Sequence, residues 1–89
     1  MKKISIIIPV YKNIELFMGM MRNNWQYIKD EEVIVVDDGG QENLKEILNK
    51  EFKEISVLVN EKNVGFSKSV NRGMFESHGK YIMLLNSDV

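Results

Sequence analysis

Apolar residues follow two rhythms along this chain: short continuous runs of Ile, Val and Leu, and longer stretches with apolar positions three or four apart. Lys3–Val10 (KISIIIPV) is an Ile-rich run of the kind expected for a strand buried on both faces. Ile14, Phe17, Met21, Trp25 and Ile28 then fall on one face of a helix over Ile14–Ile28, with Asn13 as its N-cap. Glu32–Val36 (EVIVV) reads as a second buried strand, ended by the turn signal Asp37-Asp38-Gly39-Gly40. Leu44, Ile47 and Leu48 mark a short second helix, Ile55–Val59 a third strand, and Asn60 to Gly65 a polar loop. Phe66, Val70 and Met74, four apart, read as the core face of a third helix that Gly79 ends. Lys80–Leu85 (KYIMLL) is the fourth strand, and no repeat or low-complexity tract interrupts the alternation.

The order βαβαβαβ predicts an α/β fold, a three-layer α/β/α arrangement around a parallel, Rossmann-like sheet with right-handed crossovers. Ligands of such sheets bind beyond the carboxyl ends of the strands. The polar groups just after each strand are therefore the candidate site. They are Tyr11-Lys12-Asn13, Asp37-Asp38, Asn60 to Asn63, and Asn86-Ser87-Asp88, all expected on one rim.

Composition narrows the function classes. At 89 residues the chain is one domain or part of one. Its 12 Lys and Arg against 13 Asp and Glu leave a net charge of −1, which argues against nucleic acid or a membrane surface as partner. The absence of Cys removes a disulfide framework, a thiolate zinc site and a Cys nucleophile together. The longest apolar run, Ile4 to Val10, is far short of the ~20 residues that span a bilayer. Met-Lys-Lys before that run imitates a signal peptide, but the run is β-branched, holds Pro9 and leads to no small-residue cleavage site. A cytoplasmic chain is the expectation.

The segments after the strands exclude several chemistries. No G-x-G-x-x-G comes after the first strand, and no G-x-x-x-x-G-K-[ST] loop occurs. A phosphoacceptor receiver domain carries its acidic pair after the first strand, whereas here the pair comes after the second. His78, the single histidine, lies toward the end opposite the rim and reads as a surface residue rather than a triad member. Asp38 and Asp88 remain, acids at the ends of two strands. Two hard oxygen ligands suit Mg²⁺ or Mn²⁺, which complete their shells with water and phosphates. Each aspartate equally suits a turn or a helix cap. Spacing alone thus reaches a nucleotide or phosphate site and no further.

Four blocks carry a resemblance. Ser5-Ile6-Ile7-Ile8-Pro9-Val10-Tyr11-Lys12-Asn13 resembles the opening of family 2 glycosyltransferases of the GT-A fold, and Glu32 to Gly39 (EVIVVDDG) resembles their second block. Asn63-Val64-Gly65-Phe66 with Asn71-Arg72-Gly73 is similar to their third. Gly79 to Val89 (GKYIMLLNSDV) is similar to the block that carries their Asp-x-Asp motif. The resemblance implies inverting hexosyl transfer from a nucleotide-diphosphate sugar, a UDP-sugar first, with Mn²⁺ or Mg²⁺ as cofactor and a carbohydrate or lipid-linked acceptor. It implies that Pro9, Val10 and Tyr11 form the wall for the base and that Asp38 receives a base N–H or a ribose hydroxyl. It implies nucleotide contacts for Asn63, Gly65, Asn71 and Asn86, and a metal-ligand role for Asp88.

The sequence also departs from the family pattern. Asn86 stands where the motif usually has its first Asp, and Gly39-Gly40 where Gly-Ser is commoner. Asn63 and Gly65 equally suit a plain tight turn, and Lys68 with Arg72, four apart, a solvated helix face as much as a diphosphate contact. Trp25 reads as core rather than a sugar-stacking surface. Residues 1–89 are expected to be the nucleotide-sugar-binding part of such a domain, truncated after the Asp-x-Asp-like motif. The catalytic base is then expected beyond the chain, the 89 residues alone inactive, and the exposed fourth strand a site of self-association. Two other readings stand beside this one: a non-catalytic fold remnant or assembly module, and a different α/β nucleotide or phosphate protein such as a nucleotidyltransferase. The second lacks its Gly- and Arg-rich phosphate loop after the first strand.

Overall fold

The computed structural model describes residues 3–40 and 43–87. Seven elements alternate: β1 (Ile4–Val10), α1 (Ile14–Ile28), β2 (Glu32–Asp38), α2 (Leu44–Glu51), β3 (Ser56–Asn60), α3 (Phe66–Glu76) and β4 (Tyr81–Leu84). The strands form one parallel sheet in the order β3-β2-β1-β4. The two central strands, β1 and β2, are the most buried, as strands covered on both faces are.

Strand alternation divides the core in two. Ile6, Ile8 and Val10 of β1, Val33 and Val35 of β2 and Val57 of β3 face α1 and α2, where they meet Phe17, Met21, Leu44 and Leu48. Ile7, Ile34 and Val36 face the other way, with Leu58 packed beside them. Trp25 is part-buried against the larger cluster, its ring centroid 4.9 Å from that of Phe52, which makes it a packing residue.

The helix on the second face differs from the sequence reading. Phe66 and Met74 of α3 are exposed, and its buried residues are Ser69 and Gly73. The cause is the close approach of the helix to the sheet. A Cβ added at Gly73 would lie 2.5 Å from Ile7 Cγ2, so only a small-residue stripe fits there, and the larger side chains of α3 are turned outward.

Other boundaries also shift. β2 runs on through Asp37 and Asp38, and β3 through Asn60, because Asp37 pairs with Val59 and Asp38 with Asn60 in the parallel ladder. The Gly39 N–H then donates to the Asn60 carbonyl at 2.9 Å. α3 stops at Glu76, before Gly79. Gly79 instead serves a close contact, since a Cβ there would lie 2.6 Å from Ser5 Oγ and 2.7 Å from Ser5 N.

At the amino ends of the strands a polar knot joins β1, β2 and the segment entering β4. Buried Ser5 donates through Oγ to Glu32 Oε1 (2.6 Å) and accepts from the Gly79 N–H (2.7 Å). Glu32 also accepts from the His78 backbone N–H (2.6 Å) and meets His78 Nδ1 at 2.8 Å. Burial pushes the Glu32 carboxyl up, but the bonds from Ser5 and His78 outweigh it and hold it below its ordinary value. The hydrogen bond to Glu32, then its charge, raise His78. His78 is thus an exposed residue with a structural partner, at the end of the sheet away from the candidate site.

Candidate functional site

The carboxyl ends of the strands surround one cleft of about 550 Å³, within the usual size of small-ligand pockets. β1 and the turn after it contribute Pro9, Val10, Tyr11 and Asn13. β2 contributes Asp38, and the loop into α3 contributes Asn63 and Gly65. Phe66 and Ser69 of α3, with Asn86 and Ser87 beyond β4, complete the lining. Of the candidate residues in the sequence, Pro9, Val10, Tyr11, Asp38, Asn63, Gly65 and Asn86 therefore share one cavity. Asn71 does not line it and is exposed on α3. Asp88 and Val89 lie outside the described residues.

The turn after β1 has unusual backbone. Lys12 (φ 61°) and Asn13 (φ 51°) are both left-handed, a conformation uncommon outside glycine. Asn13 occupies the N-cap position of α1, but its side chain makes no capping hydrogen bond and lines the cleft instead. The Asn13 carbonyl still accepts the first helical bond, from Phe17 N–H at 3.1 Å. The left-handed pair turns the chain sharply out of β1 and leaves Tyr11 half exposed at the cleft.

Asp38 is the most connected group of the site. It is only 3% exposed, yet it lines the cleft. Its Oδ1 accepts from the Val64 N–H at 2.8 Å and from Asn60 Nδ2 at 3.2 Å, and its Oδ2 accepts from the Gly65 N–H at 3.0 Å. Gly65 takes φ 97° to present that N–H, a conformation a side chain would strain. Asp38 thus ties the end of β2 to the start of α3 and fixes the loop that forms one cleft wall.

The same donors bear on the expected metal. Both Asp38 oxygens are engaged by N–H donors, an environment suited to hydrogen bonding rather than to a divalent ion. Among the described residues no group of three His, Asp or Glu side chains is placed to hold a metal. Asp38 thus has the surroundings of a hydrogen-bonding group, in keeping with the nucleotide-contact role that the family resemblance implies for it, while Asp88, the expected metal ligand, lies outside the described residues.

Asn13 and Ser87, among the polar groups expected on the rim, line the cleft, and so do two residues not expected there from the sequence, Phe66 and Ser69. Spacing with Val70 and Met74 assigns Phe66 to the core. Its position on the first turn of α3, directly after Gly65, is the signal in the sequence that it belongs to the rim.

Residues 5–89 match the family model described as Glycosyl transferase family 2, and the chain belongs to that family. It is similar to a protein named cholesterol galactosyltransferase from Borreliella burgdorferi, with 32% identity over 97% of this chain and 25% of that protein. It is also similar to the glycosyltransferase GlyA of Streptococcus pneumoniae, with 33% identity over 97% of this chain and 13% of that protein. Among solved structures it is similar to the 1–349 fragment of S. aureus TarS. The TM-score is 0.76 and the identity 27%, over 97% of this chain and 27% of that one. The chain thus spans about a quarter or less of these proteins. Its parallel four-stranded sheet with three helices is the α/β class expected from the sequence, shared with GT-A glycosyltransferases. No described helix is long and apolar enough to cross a membrane.

Proposed function

We propose that residues 1–89 are the donor-binding part of an inverting hexosyltransferase, and that the cleft takes the nucleoside of a nucleotide-diphosphate sugar. The convergence of four chain segments on one cavity at the carboxyl rim carries this reading. Pro9, Val10 and Tyr11 offer an apolar wall with a half-exposed aromatic ring for a base. Asp38 offers a carboxylate oxygen for the imide N–H of uracil, where a charged acceptor strengthens the bond; this favours a UDP-sugar. Asn63 and Asn86 line the same cleft with amide groups suited to ribose hydroxyls.

Asp88 is the residue that would hold Mn²⁺ or Mg²⁺ in this reading. A divalent ion held there would neutralise charge on the diphosphate leaving group. The cytoplasm, as the site of a nucleotide-sugar donor, goes with the same reading, as does self-association through β4.

Titration of the isotopically labelled chain with UDP, followed by amide NMR, locates the site. Shifts confined to Val10, Tyr11, Asn63, Gly65 and Asn86 are expected. Shifts spread over α1 and α2 without these residues would contradict the proposal.

A further inference from the structure

Asn60, at the end of β3, sits beside Asp38 in the β2–β3 register. It is not among the cleft-lining residues, yet its amide nitrogen is bonded to two of them and its amide oxygen to Arg72. One Nδ2–H donates to Asp38 Oδ1 (3.2 Å) and the other to Ser69 Oγ (3.1 Å). Its Oδ1 accepts from an Arg72 guanidinium N–H at 2.6 Å, and the same Arg72 nitrogen donates to the Val59 carbonyl at 2.7 Å.

This pattern permits one orientation of the amide. Rotating it by half a turn would set Oδ1 against the Asp38 carboxylate and the NH₂ group against the guanidinium, repulsive on both sides. Arg72 thereby decides which way Asn60 points, and Asn60 decides where Asp38 Oδ1 stands. Asp38 in turn holds the Val64 and Gly65 N–H groups. Ser69, fully buried and cleft-lining, is tied into the same network from α3.

We infer that Asn60, oriented by Arg72, is a positioning residue that sets the Asp38 carboxylate and, through it, the Asn63–Phe66 wall of the cleft. The inference rests on the nucleotide reading only for its effect on affinity; the positioning itself is independent of any ligand. Arg72 then acts on the site from behind Asn60 and makes no direct ligand contact.

Asn60→Asp is the most informative variant. It is nearly the same shape and keeps the acceptor for Arg72, but it replaces a donor to Asp38 with a like charge. Amide hydrogen exchange at Val64 and Gly65 is expected to speed up by about tenfold or more relative to Ile34 and Val35 in the same chain, as local bonds to the carboxylate open more often. Arg72→Gln, a change at an exposed side chain, provides a second variant expected to fold, and exchange at the same two amides should rise less but in the same direction. Unchanged exchange at Val64 and Gly65 in both variants would overturn the inference, and so would a rise shared equally by Ile34 and Val35. In a parallel titration, UDP affinity is expected to fall about tenfold in Asn60→Asp. If the unaltered chain binds no UDP, the nucleotide reading fails, while the exchange result still decides the positioning role.

Discussion

At the scale of single residues, two glycines carry packing that no larger residue could. Gly73 lets α3 press against Ile7 and Val36, and Gly79 lets the chain cross Ser5. Gly79→Ala meets backbone atoms of Ile4 and Ser5, which cannot turn aside as a flexible side chain can. Gly73→Ala meets methyl groups of Ile7 and Val36, which can shift partway. Overpacking of this kind costs about 1–3 kcal/mol, so urea unfolding should show both variants destabilised, Gly79→Ala the more. Equal stability to the unaltered chain would refute the close packing. Asp38 is the other residue whose surroundings decide its role. Without its carboxylate, the part-buried Val64 and Gly65 N–H bonds lose their acceptor and the tie from β2 to α3 is broken, and a hydrogen bond to a charged group is worth about 1.5–3 kcal/mol. Asp38→Ala should therefore lower stability as well as nucleotide affinity.

At the scale of elements, the knot of Ser5, Glu32 and His78 ties the entry of β4 to β1 and β2 and makes its stability depend on pH. Glu32 is held below its ordinary 4.5, so its contribution is complete above that value and is lost as pH falls through the lowered one. His78 is raised above its ordinary 6.5, so its contribution is complete below that value and is lost as pH rises through the raised one. The knot is strongest between pH 4.5 and 6.5. The melting-temperature difference between the unaltered chain and His78→Gln should be largest in that window and shrink in alkali; a constant difference would show that the ion pair contributes nothing. The same elements show what the sequence reveals. α1 is legible to its ends, because Ile14, Phe17, Met21, Trp25 and Ile28 mark its buried face and nothing competes with that pattern. β2 and β3 extend past their apolar runs into Asp38 and Asn60, because ladder pairing and side-chain hydrogen bonds there outweigh turn chemistry. α3 misleads, since Phe66 and Met74 of its apolar stripe are exposed and Val70 is only half-buried. Small residues fix its buried face, and helix–sheet distance is not visible in a hydropathy pattern. Of the site, the residues named by resemblance fall largely in one cleft, whereas the Asn60–Arg72 relay depends on cross-strand register and has no local signature.

At the scale of the whole molecule, the sheet is covered unevenly. α1 and α2 pack over one face and α3 over the other, but β4 stands at the edge with Tyr81, Ile82, Met83 and Leu84 all exposed. Apolar edge strands template pairing with another chain. Sedimentation of the 89-residue chain should show concentration-dependent association that Met83→Lys suppresses; a monomer at all concentrations would exclude the edge as an interface. The opposite boundary of the sheet, the carboxyl rim, holds the cleft proposed to take the donor. Calorimetric titration with UDP, with and without Mn²⁺, tests that assignment in the unaltered chain, Asp38→Ala and Asp88→Ala. Binding strengthened by Mn²⁺ is expected in the unaltered chain. Asp38→Ala should weaken it about tenfold or more, as loss of a charged hydrogen-bond partner does, and Asp88→Ala should remove the Mn²⁺ dependence. Identical UDP affinity in all three chains, with or without Mn²⁺, would contradict the assignment of the rim cleft as a donor site.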